Sequence, residues 1–237
     1  MTCPSTDPQR SAGGPEAALT SYHRLREARA ELFANAPGGI EVLTAPEDVR
    51  AARHAAEAAS GTSEPVGVVY ADRFVTVVRD AVRFPDGHLG LYVRVLPTAT
   101  GPAVVVLPLL GDGCDVVLVE HYRHATRRWH LEAPRGFGEN TSGEETAARE
   151  LAEELGTRAR SLVRLGSLHP DTGLLGSQVE LFAARVDRIG PLERAEGIRR
   201  ALTVSAAEAE AMIADGRLTD AFTIAALSQA RLAGLLG

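Results

Sequence analysis

Three carboxylates stand at i, i+3 and i+4 in Arg149-Glu150-Leu151-Ala152-Glu153-Glu154, a spacing that projects them from one face of a helix. Ionised oxygens crowded in this way repel one another, and a hard divalent cation relieves that repulsion. A few carboxylates together with phosphate oxygens are the usual surroundings of Mg2+. The competing reading is a solvated acidic face with Arg149 as a local ion-pair partner, the common fate of a charge run.

The element that must carry these groups is well bounded. Ser142 and Glu145 form a capping box, and Gly156 supplies a left-handed stop. Ala147, Ala148, Leu151 and Leu155 make an apolar stripe on the opposite face, so the helix can pack on a sheet while Glu150, Glu153 and Glu154 look into a cleft.

The stretch Gly136 to Gly156, GFGENTSGEETAARELAEELG, resembles the Nudix box. Arg149 to Gly156 follows the R-E-apolar-x-E-E-x-G half of that pattern throughout, whereas the position of the usual box Glu is held by Thr141 and Gly136 lies one residue closer to the Arg. Glu139 and Glu144 are the nearby acids that a shortened loop would use instead. Upstream, His121-Tyr122-Arg123 and the run from Trp129 to Gly136 are similar to ADP-ribose pyrophosphatases and related nucleoside-diphosphate-sugar hydrolases. Glu196-Gly197-Ile198-Arg199 and the tail GRLTDAFTIAAL are similar to the same branch, so the resemblance runs from about Val66 to Leu235.

That resemblance implies an α+β fold, an α/β/α sandwich with a mixed β-sheet between helices. It implies Mg2+-dependent hydrolysis of the diphosphate of ADP-ribose or another nucleoside-diphosphate sugar, with Mn2+ as the alternative ion, giving a nucleoside monophosphate and a sugar phosphate. Glu150 and Glu154 are the implied metal ligands, with the main-chain carbonyl of Arg135, and Glu153 either shares the metals or orients a water. The general base falls on Glu196, with Glu193 in reserve, because the first loop Glu of the branch is Arg194 here. Arg123 is the implied phosphate-holding residue, against simple pairing with Glu132, and the Arg135 side chain is a second phosphate contact. Glu132 is expected to brace the loop before the box through backbone N–H groups. Trp129, the only Trp, is expected first as core packing at a strand start, with a stacking surface for base or sugar as the alternative. His169 begins the segment that matches a substrate-covering Pro-Gly loop, and a satisfied structural imidazole explains it equally well. Two other functions fit the same residues: a nucleotide-sugar binding module with weakened catalysis, motivated by Thr141, and a pyrophosphatase dedicated to a biosynthetic nucleotide intermediate.

Composition narrows the class. The 237 residues suit one domain with an extension or two small domains, and 45% apolar content is ample for a core. A net charge of -6 without a basic stripe leaves nucleic-acid binding no electrostatic footprint. Every basic residue is Arg, which removes lysine Schiff-base chemistry and the Walker A loop and favours bidentate grip on phosphate. Cys3 and Cys114 are too few for a disulfide framework, and the N-terminus lacks the apolar run of a signal peptide. The expectation is a cytoplasmic homodimer that binds a small-molecule nucleoside diphosphate, with neither nucleic acid nor membrane as partner.

Residues 1–15 read as a disordered tail, 16–64 as an N-terminal helical extension and 65–237 as the Nudix domain. Helical spacing predicts helices over Pro15–Asn35 and Pro46–Ala59. Val-rich runs predict strands over Phe74–Phe84, His88–Leu96, Ala103–Leu109, Asp115–Tyr122, Trp129–Ala133, Ser161–Leu168, Gln178–Val186 and Gly197–Val204. Two closing helices are expected over Ser205–Ala214 and Thr219–Leu236.

Overall fold

Short Val-rich segments separated by turn residues become strands, and the longer amphipathic ones become helices that cover them. The computed structural model describes residues 14–139, 141–192, 194 and 197–237. The described residues form two compact units, one within 14–99 with 171–176 and one within 100–170 with 177–237.

The first unit contains α1 (Pro15–Ala28), a 3-10 turn (Ala30–Phe33), β1 (Glu41–Leu43), α2 (Pro46–Ser60), β2 (Gly67–Ala71), β3 (Val75–Arg83) and β4 (Leu89–Pro97). β3 is the centre of its sheet and pairs antiparallel with β1, β2 and β4. The helix expected to reach Asn35 stops at Ala28, where Arg29 leaves helical geometry and its guanidinium reaches the Pro97 carbonyl. Beneath α1, the buried Asp80 carboxylate receives the Tyr22 hydroxyl and two nitrogens of Arg94, at 2.6 and 3.1 Å from the latter. Burial, and then the adjacent Asp80 charge, push the Tyr22 phenol above its ordinary range.

The second unit contains β5 (Ala103–Leu110), β6 (Asp115–Arg123), β7 (Arg128–Glu132), β8 (Arg135–Phe137), α3 (Gly143–Leu155), β9 (Ala159–Leu168), β10 (Val179–Val186), β11 (Ile198–Ser205), α4 (Ala206–Ala214) and α5 (Ala221–Leu232). The sheet runs β11-β6-β5-β10-β9, with β5 and β10 parallel and the other pairings antiparallel. It is therefore mixed, as expected. β5 reads AVVVLPLL and is buried along almost its whole length, the pattern of a strand covered on both faces. One face packs with Ala147, Leu151 and Leu155 of α3, and the other with Ala226, Leu227 and Ala230 of α5 and Ala209 and Met212 of α4. Helices on both sides of one sheet make an α/β/α sandwich.

One irregularity of this sheet matters for the site. Val106 donates its N–H to the Pro134 carbonyl, so Pro108, two residues on along the strand, turns its missing donor to the same side. Pairing between β5 and β6 is confined to Leu109 and Leu110, and the strands part beyond them. The chain fills the gap with β7, which pairs with β6, and β8, which pairs with β5. β1 and β8, of three residues each, are too short for periodicity to reveal. No helix of the described residues is long and apolar enough to cross a membrane.

Candidate active site

α3 begins and ends as its sequence dictates. The Ser142 hydroxyl accepts the Glu145 N–H at 3.2 Å, Glu145 returns a carboxylate to the Ser142 N–H at 2.8 Å, and Gly156 closes the helix in the left-handed region at φ 55°. The register of the cap determines which carboxylates meet β8.

Glu150 and Glu154 are 5% and 1% exposed, so two acids of this helix lie inside the protein, against β8. Glu154 Oε1 lies 3.4 Å from the Arg135 N–H, and a Cβ built on Gly136 would stand 2.1 Å from Glu150 Oε1. Glycine at 136 is what leaves the Glu150 carboxylate its space. Glu153 lies on the open side, its side chain half exposed. Arg149 binds Glu150 at 2.6 Å, Glu153 at 2.5 Å and the Phe137 carbonyl at 2.7 Å, so it ties the acidic helix to β8. Arg149 is thus a local ion-pair partner, while Glu150 and Glu154 are buried rather than part of a solvated face. Among the described residues, no group of three or more His, Cys, Asp or Glu is gathered as a metal centre. The residues nevertheless fit a hard cation, because two buried carboxylates beside a main-chain strand edge, kept clear by a glycine, are oxygen donors of the kind Mg2+ takes.

The Gly-led loop is closed by hydroxyl contacts. Thr141 and Thr146 are joined through their hydroxyls at 2.8 Å, Thr146 also donates to the Ser142 carbonyl, and Glu139 and Glu144 are exposed. Glu193 and Glu196 lie outside the described residues.

Arg123 ends β6 and donates to Glu132 at 2.8 and 2.6 Å. Glu132 is 1% exposed and is also reached by Arg135 at 3.1 Å. The brace expected from Glu132 to backbone N–H groups is therefore corrected: its partners are two guanidiniums, which supply the charge that a buried carboxylate requires. Gly136 faces α3, so Arg135 faces the opposite side of the strand. Its guanidinium binds Asp220 at 3.1 Å and lies 4.6 Å from the centre of the Phe222 ring, on the α5 side. Asp220 caps α5 by accepting the Thr223 N–H, and the Thr223 hydroxyl accepts the Ala133 N–H at 2.8 Å. Sequence reasoning missed this link, although Asp220 followed three residues later by Thr223 is a legible N-cap pattern.

Trp129 is not packed in the core: it is 40% exposed, with the Arg199 guanidinium 4.3 Å from its ring centre and Tyr122 edge-on at 5.5 Å. Trp129 pairs with Tyr122 across the ladder, as Leu131 pairs with Glu120, and Leu131 packs into the core under α4 and α5. Alternation thus turns Trp129 away from the α3 face. Arg199 and Arg200 both clamp the buried Glu120, and hydrogen bonds from Arg199 first, then Arg200, hold its carboxyl below the usual range against the opposing effect of burial. His169 is exposed, with its Nδ1 3.2 Å from the Ser177 carbonyl oxygen.

The chain is similar to known proteins. A family model described as the NUDIX domain matches residues 99–219. ADP-ribose pyrophosphatase of Mycobacterium tuberculosis is 32% identical over 136 residues, which are 56% of this chain and 61% of that protein. GDP-mannose pyrophosphatase of Yersinia enterocolitica is 33% identical over 110 residues, 45% of this chain and 58% of that one. The chain thus spans about three-fifths of the length of these curated relatives. The crystal structure of an ADP compounds hydrolase superposes with a TM-score of 0.60 at 24% identity, covering 70% of this chain and 89% of the other, a likeness of fold. With the family model covering half of the sequence, the chain belongs to the NUDIX domain family.

Proposed function

We propose that the protein hydrolyses the diphosphate of ADP-ribose or another nucleoside-diphosphate sugar in a Mg2+-dependent reaction, yielding a nucleoside monophosphate and a sugar phosphate. The observation that carries this reading is the pair of buried carboxylates, Glu150 and Glu154, against the Arg135-Gly136 strand. Relatives named for ADP-ribose and GDP-mannose pyrophosphatase activity support the substrate class.

A diphosphate resists water because its oxygens repel the nucleophile, so the site must neutralise charge and align the attack. Glu150, Glu154 and the Arg135 carbonyl would hold Mg2+, or Mn2+ in its stead, and the ion when bound supplies Lewis-acid polarisation of phosphoryl oxygens and acidification of water. Arg123, already oriented by Glu132, presents its remaining donors to a phosphate. Glu153, on the open side, orients water or shares the ion. Glu196 is our choice of proton acceptor and Glu193 the reserve, since acids engaged with a cation are poor bases. Arg135, committed to Glu132 and Asp220, serves through its backbone, and Trp129 becomes a peripheral stacking surface.

The test is turnover of a panel of ADP-, GDP- and UDP-linked sugars with Mg2+, beside Glu150→Gln and Glu154→Gln. Each substitution is expected to reduce turnover by at least the ~10–100-fold that even an outer partner of a metal ligand is worth. Activity that survives in both variants overturns the proposal. A second reading, a binding module with weakened catalysis, is favoured by the Thr141–Thr146 contact at the position of the usual box Glu. Saturable nucleotide-sugar binding without any product would establish it.

A further inference from the structure

β8 has two working faces. On one, Gly136 and the Arg135 N–H meet Glu150 and Glu154, whereas on the other the Arg135 guanidinium joins Glu132 at 3.1 Å, Asp220 at 3.1 Å and the Phe222 ring. β8 is only three residues long and pairs with β5 alone, so its own ladder offers little restraint. The Thr223 hydroxyl adds a tie to the Ala133 N–H just before it.

We propose that Arg135 and Asp220 are positioning residues: an ion-pair strut from the N-cap of α5 holds β8 at the height where its main chain and the carboxylates of α3 converge on a cation. The inference rests on the metal-site reading above. Its physical basis is that hard cations tolerate little error in donor position, and Mg2+ least of all. Outer partners that orient metal ligands are worth about tenfold to a hundredfold in affinity. Arg suits the role because its planar fork meets two carboxylates at once, which an ammonium does not do with the same geometry. Asp220 is doubly engaged, with Oδ1 toward Arg135 and Oδ2 toward Thr223, so the start of α5 and the position of β8 are set by one side chain.

The test uses the full chain and Mn2+ alone, followed by the electron paramagnetic resonance of the free ion. Arg135→Met is expected to weaken Mn2+ binding about tenfold or more, with partial rescue in Arg135→Lys. Asp220→Asn, which keeps its acceptor for Thr223 and loses the charge toward Arg135, is expected to weaken binding in the same direction and serves alone if Arg135→Met does not fold. Ser205→Ala, which removes the cap of α4, is the control for lost stability: its Tm falls while its Mn2+ affinity stays at the wild-type value. A strut that merely stabilised the fold would behave as this control does. If Mn2+ affinity in Arg135→Met or Asp220→Asn, measured well below Tm, equals that of wild type while Glu154→Gln abolishes it, the strut is refuted and the metal site stands. If the wild-type protein binds no Mn2+ saturably, both fall.

Discussion

Gly136 gives Glu150 its room, and that makes it a sharper probe of the site than the acids themselves. In Gly136→Ala the new methyl meets the far end of a flexible carboxylate side chain rather than backbone, so Glu150 must swing aside while the strand stays in place. The expected outcome is a Tm within a few degrees of wild type, with Mn2+ affinity reduced by about tenfold, read by titration. Arg94→Ala makes the opposite case. It leaves Asp80, buried beneath α1, with the Tyr22 hydroxyl but no cation, and removing one partner of a buried pair costs about 3–5 kcal/mol. Urea denaturation should register that loss, and a change below about 1 kcal/mol would mean that water already reaches the carboxylate.

Among elements, α3 stands on its ends and its buried stripe. Ser142→Ala removes one side of the capping box and is expected to lower stability by about 1 kcal/mol. Gly156→Ala is expected to cost more, since the residue is in the left-handed region and its Cβ would stand 2.6 Å from the Pro191 carbonyl oxygen. Thermal melts of the two variants order the effects, and a cap loss exceeding the Gly156 loss contradicts the assignment. The edge formed by β6 and β11 carries a pH signature. Glu120 has its carboxyl held below the unfolded value by Arg199 and Arg200, so its contribution is complete above the ordinary Glu pKa of about 4.3 and is lost as pH falls through the lowered folded value. Glu120→Gln should therefore be less stable than wild type at neutral pH and converge toward it on acidification. Parallel stability-pH curves would exclude this clamp as the cause.

At the scale of the whole chain, the second unit joins a helix with strong local signals to a sheet whose departure from regularity makes the site. The capped acidic helix and the runs that form strands were legible because capping, hydrophobic period and β-branched runs are local properties, whereas the mixed sheet between helices followed from the family resemblance. The break of α1 at Ala28 was not, and at that point the Arg29 side chain meets a carbonyl 68 positions away in sequence. The exposure of Trp129 was likewise hidden, as it depends on the register with Tyr122 and on Arg199 arriving from β11.

From its sequence alone the chain had determined which acids share a helix face, where that helix starts and stops, and which family pattern they follow. Tertiary structure decided that Glu150 and Glu154 are the buried pair, that Arg149 shares itself between Glu150 and Glu153, and that Arg135 turns its guanidinium toward α5. The reason is that helix periodicity is local, whereas burial and charge pairing depend on which strand the sheet brings alongside, here β8 in the gap that Pro108 helps to open.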